Sequence, residues 1–85
     1  EDHRLNPEQM EELRARLESP PETLAGKKVV ETHRKDGAYL GFQDGSWLLL
    51  RLSGTEPLAR CYAEARNLRD VGRLMDAARA IIPAI

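Results

Sequence analysis

The run Trp47-Leu48-Leu49-Leu50-Arg51-Leu52 lies between two turn signals, Asp44-Gly45 and Ser53-Gly54-Thr55. A segment this short, bounded by turns on both sides, has room for one extended strand and too little for a helix. Alternation puts Leu48, Leu50 and Leu52 on one face and Trp47, Leu49 and Arg51 on the other. Apolar residues on both sides predict cover on both faces near the middle of the strand. Two similar runs flank it, Ala38 to Phe42 (AYLGF) and Leu58 to Ala65 (LARCYAEA). Connections this short force antiparallel neighbours. Asp44-Gly45 predicts a type I′ hairpin turn with positive φ at both central residues.

A fourth strand is expected over Lys28 to Arg34 (KVVETHR), followed by the Asp36-Gly37 turn signal. A helix is expected ahead of it. Asn6 is a good N-cap, Pro7 suits the first helical position, and Gln9 completes a variant capping box. Leu5 and Met10 have staple spacing, and Met10, Leu13 and Leu17 make a narrow apolar stripe. Ser19-Pro20-Pro21 stops the helix, since neither proline donates a backbone N–H. The segment from there to Gly26 reads as a connector. A last helix is expected from about Asn67 to Pro83, with Val71, Leu74, Met75, Ala78, Ile81 and Ile82 on its apolar face. The small residues Ala59, Cys61, Ala63 and Ala65 let that helix approach the sheet closely. The fold class is α+β: a four-stranded antiparallel sheet with two helices packed on one face, in the order helix, four strands, helix, of TBP-like type.

Eighty-five residues make a single domain, 1–85. An apolar fraction of 41% and a charged fraction of 32% suit a globular chain rather than a disordered one. The net charge of −1 supplies no basic field to recruit nucleic acid. Residues 1–50 carry an acidic excess, whereas residues 51–85 carry a basic excess made entirely of arginine. Cys61 is the single cysteine, which excludes an internal disulfide and fits a reducing, cytoplasmic location. No apolar run approaches the roughly 20 residues that span a bilayer, and no signal peptide is visible, so no membrane partner is expected.

The stretch Arg51 to Pro57 (RLSGTEP) has more hydrogen-bond donors than a turn requires. Arg51 brings a guanidinium fork, Ser53 and Thr55 bring hydroxyls, and Gly54 leaves its N–H unobstructed. Successive N–H groups in such a turn can converge as an anion-binding nest. A phosphate monoester, with about −1.5 to −2 charges and three acceptor oxygens, matches that donor set. Glu56 would repel such a guest and is expected to turn away, towards an arginine or a backbone N–H. The plainer alternative is an ordinary turn with a solvated arginine at the strand end.

The run RLSGTEPLARCYAEA, preceded by DGSWLLL, resembles the C-terminal domain of the α-D-phosphohexomutases, the phosphoglucomutase/phosphomannomutase superfamily. The resemblance extends from about Gly26 to Ala65. It implies that Arg51, Ser53, Gly54 and Thr55 bind the phosphate of a sugar phosphate. Leu52 stands where the family usually has proline. Glu56 and Arg60 are possible supporting residues; Arg60 would brace Glu56 or face another domain. The resemblance further implies a parent enzyme, an isomerase of carbohydrate metabolism, that interconverts hexose 1- and 6-phosphates through a bisphosphate. Its phosphoserine, its Mg²⁺ loop of Asp-Gly-Asp-x-Asp-Arg type and its sugar-recognition loop have no counterpart in these 85 residues. The chain is therefore expected to be the fourth domain of a larger enzyme, inactive alone. No catalytic residue, metal ligand or cofactor is expected in it, and its partners would be a hexose phosphate and the other domains.

Two other functions compete. One is a stand-alone α+β module that reads RNA on its sheet, which would need aromatic residues on the open face. Tyr39, Phe42, Trp47 and Tyr62 are the available aromatics, scattered over three strands. The other is a structural domain with an empty turn. His3 and His33 are expected to be solvated, Cys61 a packed thiol, Trp47 a residue packed at a sheet end, and Glu64 structural.

Overall fold

The computed structural model describes residues 1–35, 37–53 and 56–83. Its elements run β1 (Asp2–Arg4), α1 (Pro7–Glu18), β2 (Thr23–Leu24), β3 (Lys27–His33), β4 (Gly37–Phe42), β5 (Trp47–Leu52), β6 (Leu58–Glu64) and α2 (Leu68–Ile81). The strands form one antiparallel sheet in the order β1-β6-β5-β4-β3-β2. The sheet thus has six strands rather than the expected four. The α+β class and the two helices stand. The extra strands are two short edge pieces, β1 beside β6 and β2 beside β3. Segments of two or three residues are too short to show an apolar alternation.

Both helices start as their sequences dictate. The Asn6 side chain accepts from Gln9 N at 2.8 Å, and Asn6 N donates to Gln9 Oε1 at 2.8 Å, closing a complete capping box. Asn67 caps α2 by accepting from Asp70 N at 2.8 Å. Leu13, Leu17 and Met10 from α1, and Leu74, Ala78 and Ile82 from α2 and its C-cap, share one core with Ala38, Leu40, Phe42, Leu48, Leu50, Ala59 and Cys61 of the sheet. Both helices therefore cover the same face. Leu48 and Leu50 at its centre are fully buried. Each such leucine contributes roughly 1.5–3 kcal/mol relative to staying exposed. Ala59 and Cys61 are equally buried, and α2 packs against their strand. Among the described residues, no helix is long and apolar enough to cross a membrane.

The turns differ from expectation in an instructive way. Asp44 lacks positive φ; only Gly45 has it, at 89°. Gly45 N donates to Phe42 O at 3.0 Å and Phe42 N to Ser46 O at 2.9 Å, so the hairpin is a longer loop that ends on a left-handed glycine. Asp44 instead accepts the Ser46 amide at 2.9 Å, the Ser46 hydroxyl and the Lys27 ammonium. Those bonds hold it in place without a left-handed backbone. Two consecutive positive φ values occur elsewhere, at Ala25 (52°) and Gly26 (75°), where they join β2 to β3.

Gly37 opens β4 with φ 136°, and a Cβ there would lie 2.0 Å from the Leu50 carbonyl oxygen. Gly37→Ala should therefore cost about 3 kcal/mol or more, through strain and displacement of β5. Gly72 lies exposed within α2, and a Cβ added there would meet nothing within 4 Å. Gly72→Ala should stabilise by about 0.5–1 kcal/mol. Urea unfolding of the two variants gives both signs.

Acid should also weaken the fold. The Arg79 guanidinium, first, and His3 hold the Glu1 carboxyl down from 4.5 to about 2. Lys27, then Ser46, holds Asp44 well below the usual carboxylate range. A depressed carboxyl stabilises the fold above its unfolded value, and that stability is lost as pH falls through the folded value. The thermal midpoint should drop between pH 4.5 and about 2, and Arg79→Met should make that drop shallower.

Candidate functional site

Cross-strand register fixes what the uncovered sheet face presents. One row reads Asp2, Arg60, Arg51 and Gly37 across β1, β6, β5 and β4. The next reads Tyr62, Leu49, Tyr39 and His33, and the third Glu64, Trp47, Gly41 and Glu31. Arg51 is exposed, one residue from the end of β5. On one side its cross-strand neighbour is Gly37, which offers no side chain. On the other it is Arg60, also exposed. Two like charges directly opposite repel unless an anion or a carboxylate lies nearby. Arg60 has Asp2 at 4.0 Å, and its pKa is raised first by Tyr62 and then by Asp2. Among the described residues, the Arg51 guanidinium has no ion-pair partner.

The loop after β5 is tied down at its base. Ser53 N donates to Leu58 O at 2.9 Å, Leu58 N to Glu56 O at 2.8 Å, and Leu5 N to Pro57 O at 2.9 Å. Glu56 N donates to Ser53 Oγ at 3.3 Å. The Ser53 amide is therefore committed to the ladder and is no donor for a guest, and its half-buried hydroxyl accepts from the Glu56 amide. Gly54 and Thr55, the other two residues expected to bind phosphate, lie outside the described residues. Of the expected supporting residues, Glu56 is engaged through its backbone, by its amide on Ser53 Oγ and its carbonyl under Leu58 N. Arg60 stands opposite Arg51 with Asp2 beside it, and the Glu56 charge is a lesser cause of its raised pKa, though no ion pair joins the two among the described residues.

The structure brings Arg51 and Arg60 onto one face at the loop's root, an arrangement able to bind an anion by charge and by guanidinium hydrogen bonds. Cys61 is buried on the opposite face, and burial, the largest cause, pushes its thiol up to about 11. Among the described residues no three His, Cys, Asp or Glu side chains are grouped to hold a metal ion.

The sequence of this domain matches the profile of the family described as "Phosphoglucomutase/phosphomannomutase, C-terminal domain" over residues 5–81. The chain belongs to that family. A protein of Thermococcus kodakarensis named phosphoglucomutase/phosphomannomutase is 46% identical over 44 residues. That match covers 52% of this chain and 9% of the relative's own length, so the chain spans a small part of the relative it resembles. The matched family domain contains the whole of β3 to β6 and the loop between β5 and β6.

One feature escaped sequence reasoning. Tyr39, Trp47 and Tyr62, which look scattered along the chain, all face the uncovered side, while Phe42 is in the core. Tyr39 stacks on Trp47 with ring centroids 6.0 Å apart, and His33 lies 5.7 Å from Tyr39. Trp47 Nε1 donates to Glu64 Oε2 at 2.8 Å, which accounts for Glu64 as a structural acid. No second layer covers this face among the described residues; Trp47 and Leu49 are half-buried by their neighbours alone. Residue parity relative to Leu48 and Leu50 could have revealed the cluster, given the correct length of the Gln43–Ser46 loop. The histidines are less free than expected. His33 is exposed but bonded to Glu31 at 2.7 Å, and half-buried His3 is bonded to Glu1 at 2.6 Å.

Proposed function

We propose that this domain holds the non-reacting phosphate of a hexose phosphate within a phosphohexomutase. The observation that carries this reading is the exposed Arg51 guanidinium, without an ion-pair partner among the described residues, beside a braced loop in a chain of the mutase C-terminal family. Arg51 would supply the bidentate fork, and the side chain of Ser53 together with Gly54 and Thr55 would complete the cradle. Arg60, opposite Arg51, would add a second positive charge. Glu56 would keep its carboxylate out of the anion's way. Binding one phosphate remotely positions the sugar, and the binding energy favours closure of the cleft over the reacting end.

The chemistry itself would belong to the rest of the parent enzyme. A phosphoserine would exchange the phosphoryl group with the sugar, and a Mg²⁺ held by a separate acidic loop would stabilise the charge that develops in transfer. Neither motif occurs in these 85 residues. The domain alone would bind without turning over.

A nuclear magnetic resonance titration of the 85-residue chain tests the binding role. Glucose 6-phosphate should shift the Arg51 side-chain and Glu56 amide signals with a dissociation constant on the order of millimolar. Inorganic phosphate should reproduce part of the shift, and glucose should produce none. Arg51→Ala should weaken the response about tenfold or more, the usual worth of a charge-assisted hydrogen bond. Equal shifts with glucose, or an unchanged response in that variant, would refute the assignment. In a full-length enzyme that carries this domain, the same substitution should lower kcat/KM about 10–100-fold while the domain stays folded.

A further inference from the structure

We infer that the uncovered sheet face is a self-complementary surface that pairs with a second copy of this chain. The three rows of that face are ordered by charge. Arg60 and Arg51 lie in the first, with Asp2 at its β1 end, the apolar and aromatic Tyr62, Leu49 and Tyr39 in the middle, with His33 at its β3 end, and Glu64, Trp47 and Glu31 in the third. Two-fold rotation about an axis along the middle row keeps each strand's column and exchanges the outer rows. Arg60 of one copy then lies over Glu64 of the other, and Arg51 over the Trp47 ring, a cation–π arrangement. Tyr62, Leu49 and Tyr39 meet their own counterparts. Each unlike contact occurs twice, as an isologous interface requires. Twisted sheets pack face to face at about −30°, which leaves pairs one row from the axis within reach.

The same charges disfavour a nucleic acid strand as the occupant. Arg51 and Arg60 are outnumbered on this face by Asp2, Glu31 and Glu64. The Trp47 N–H is bonded to Glu64, which sets a carboxylate beside the ring where a phosphate backbone would have to pass. The surface is small. Strand spacing and rise give about 400 Å² of sheet per copy, roughly half of a standard interface side. The association is accordingly weak and concentration-dependent.

Sedimentation equilibrium of the chain from about 10 μM to 1 mM tests this, with dimer expected to accumulate in the upper part of that range. Arg60→Glu alone and Glu64→Arg alone should each weaken dimerisation about tenfold, because each places like charges face to face. The double variant should recover to within about threefold of the parent, since the swapped pair is again unlike. Leu49→Arg, at the centre, should abolish the dimer. Circular dichroism on each variant confirms that it is folded. A monomer at every concentration, or a dimer indifferent to the charge swap and to Leu49→Arg, overturns the inference. So does single-stranded RNA that binds the face and shifts Tyr39, Trp47 and Tyr62 signals. The proposal does not depend on phosphate binding, because its readout is mass and not ligand.

Discussion

The burial of Leu48 and Leu50 in the middle of the sheet is the constraint on which the rest depends. These two side chains lie against α1 and α2 in one core, and side chains alternate along a strand. Their position decides that Trp47, Leu49 and Arg51 point the other way. A slip of one residue would bury Arg51 and expose both leucines. The guanidinium's place at the mouth of the loop is thus a by-product of hydrophobic register. Gly37 enforces the same register from the neighbouring strand, since its bare backbone lies against the Leu50 carbonyl.

Much of this architecture is legible in the order of residues, for reasons that differ by element. The helices declare themselves through local chemistry: Asn6, Pro7 and Gln9 for one, Asn67 and the apolar spacing from Val71 to Ile82 for the other. The four longer strands declare themselves through alternation and turn residues. β1 and β2 do neither. They exist because longer strands left open edges that a passing segment could satisfy, which is tertiary information. The type of a hairpin turn is similarly hidden. Asp44 and Gly45 announce a turn, but side-chain bonds to Lys27 and Ser46 select the longer loop. That choice sets the register of β4 on β5, and with it the gathering of Tyr39 beside Trp47.

The site shows the same division. Arg51 and the loop can be read from the motif and its family. What the motif conceals is the economy of its donors. A serine in such a turn suggests a free amide as well as a hydroxyl, yet the Ser53 amide completes the β5–β6 ladder. Arg60 has the reverse history. Nine residues from Arg51 in sequence, it becomes its immediate neighbour once the two strands pair. Electrostatic character at this place is a property of the ladder, not of the heptapeptide.

The Pro57 carbonyl at the loop's exit is bonded to the Leu5 amide, and β1, just upstream, zips along β6. Asp2 to Leu5 are therefore stitched to the far side of the β5–β6 loop. Fraying of that short seam frees the loop's exit at the same moment, so the order of β1 and the shape of the turn it holds rise and fall together.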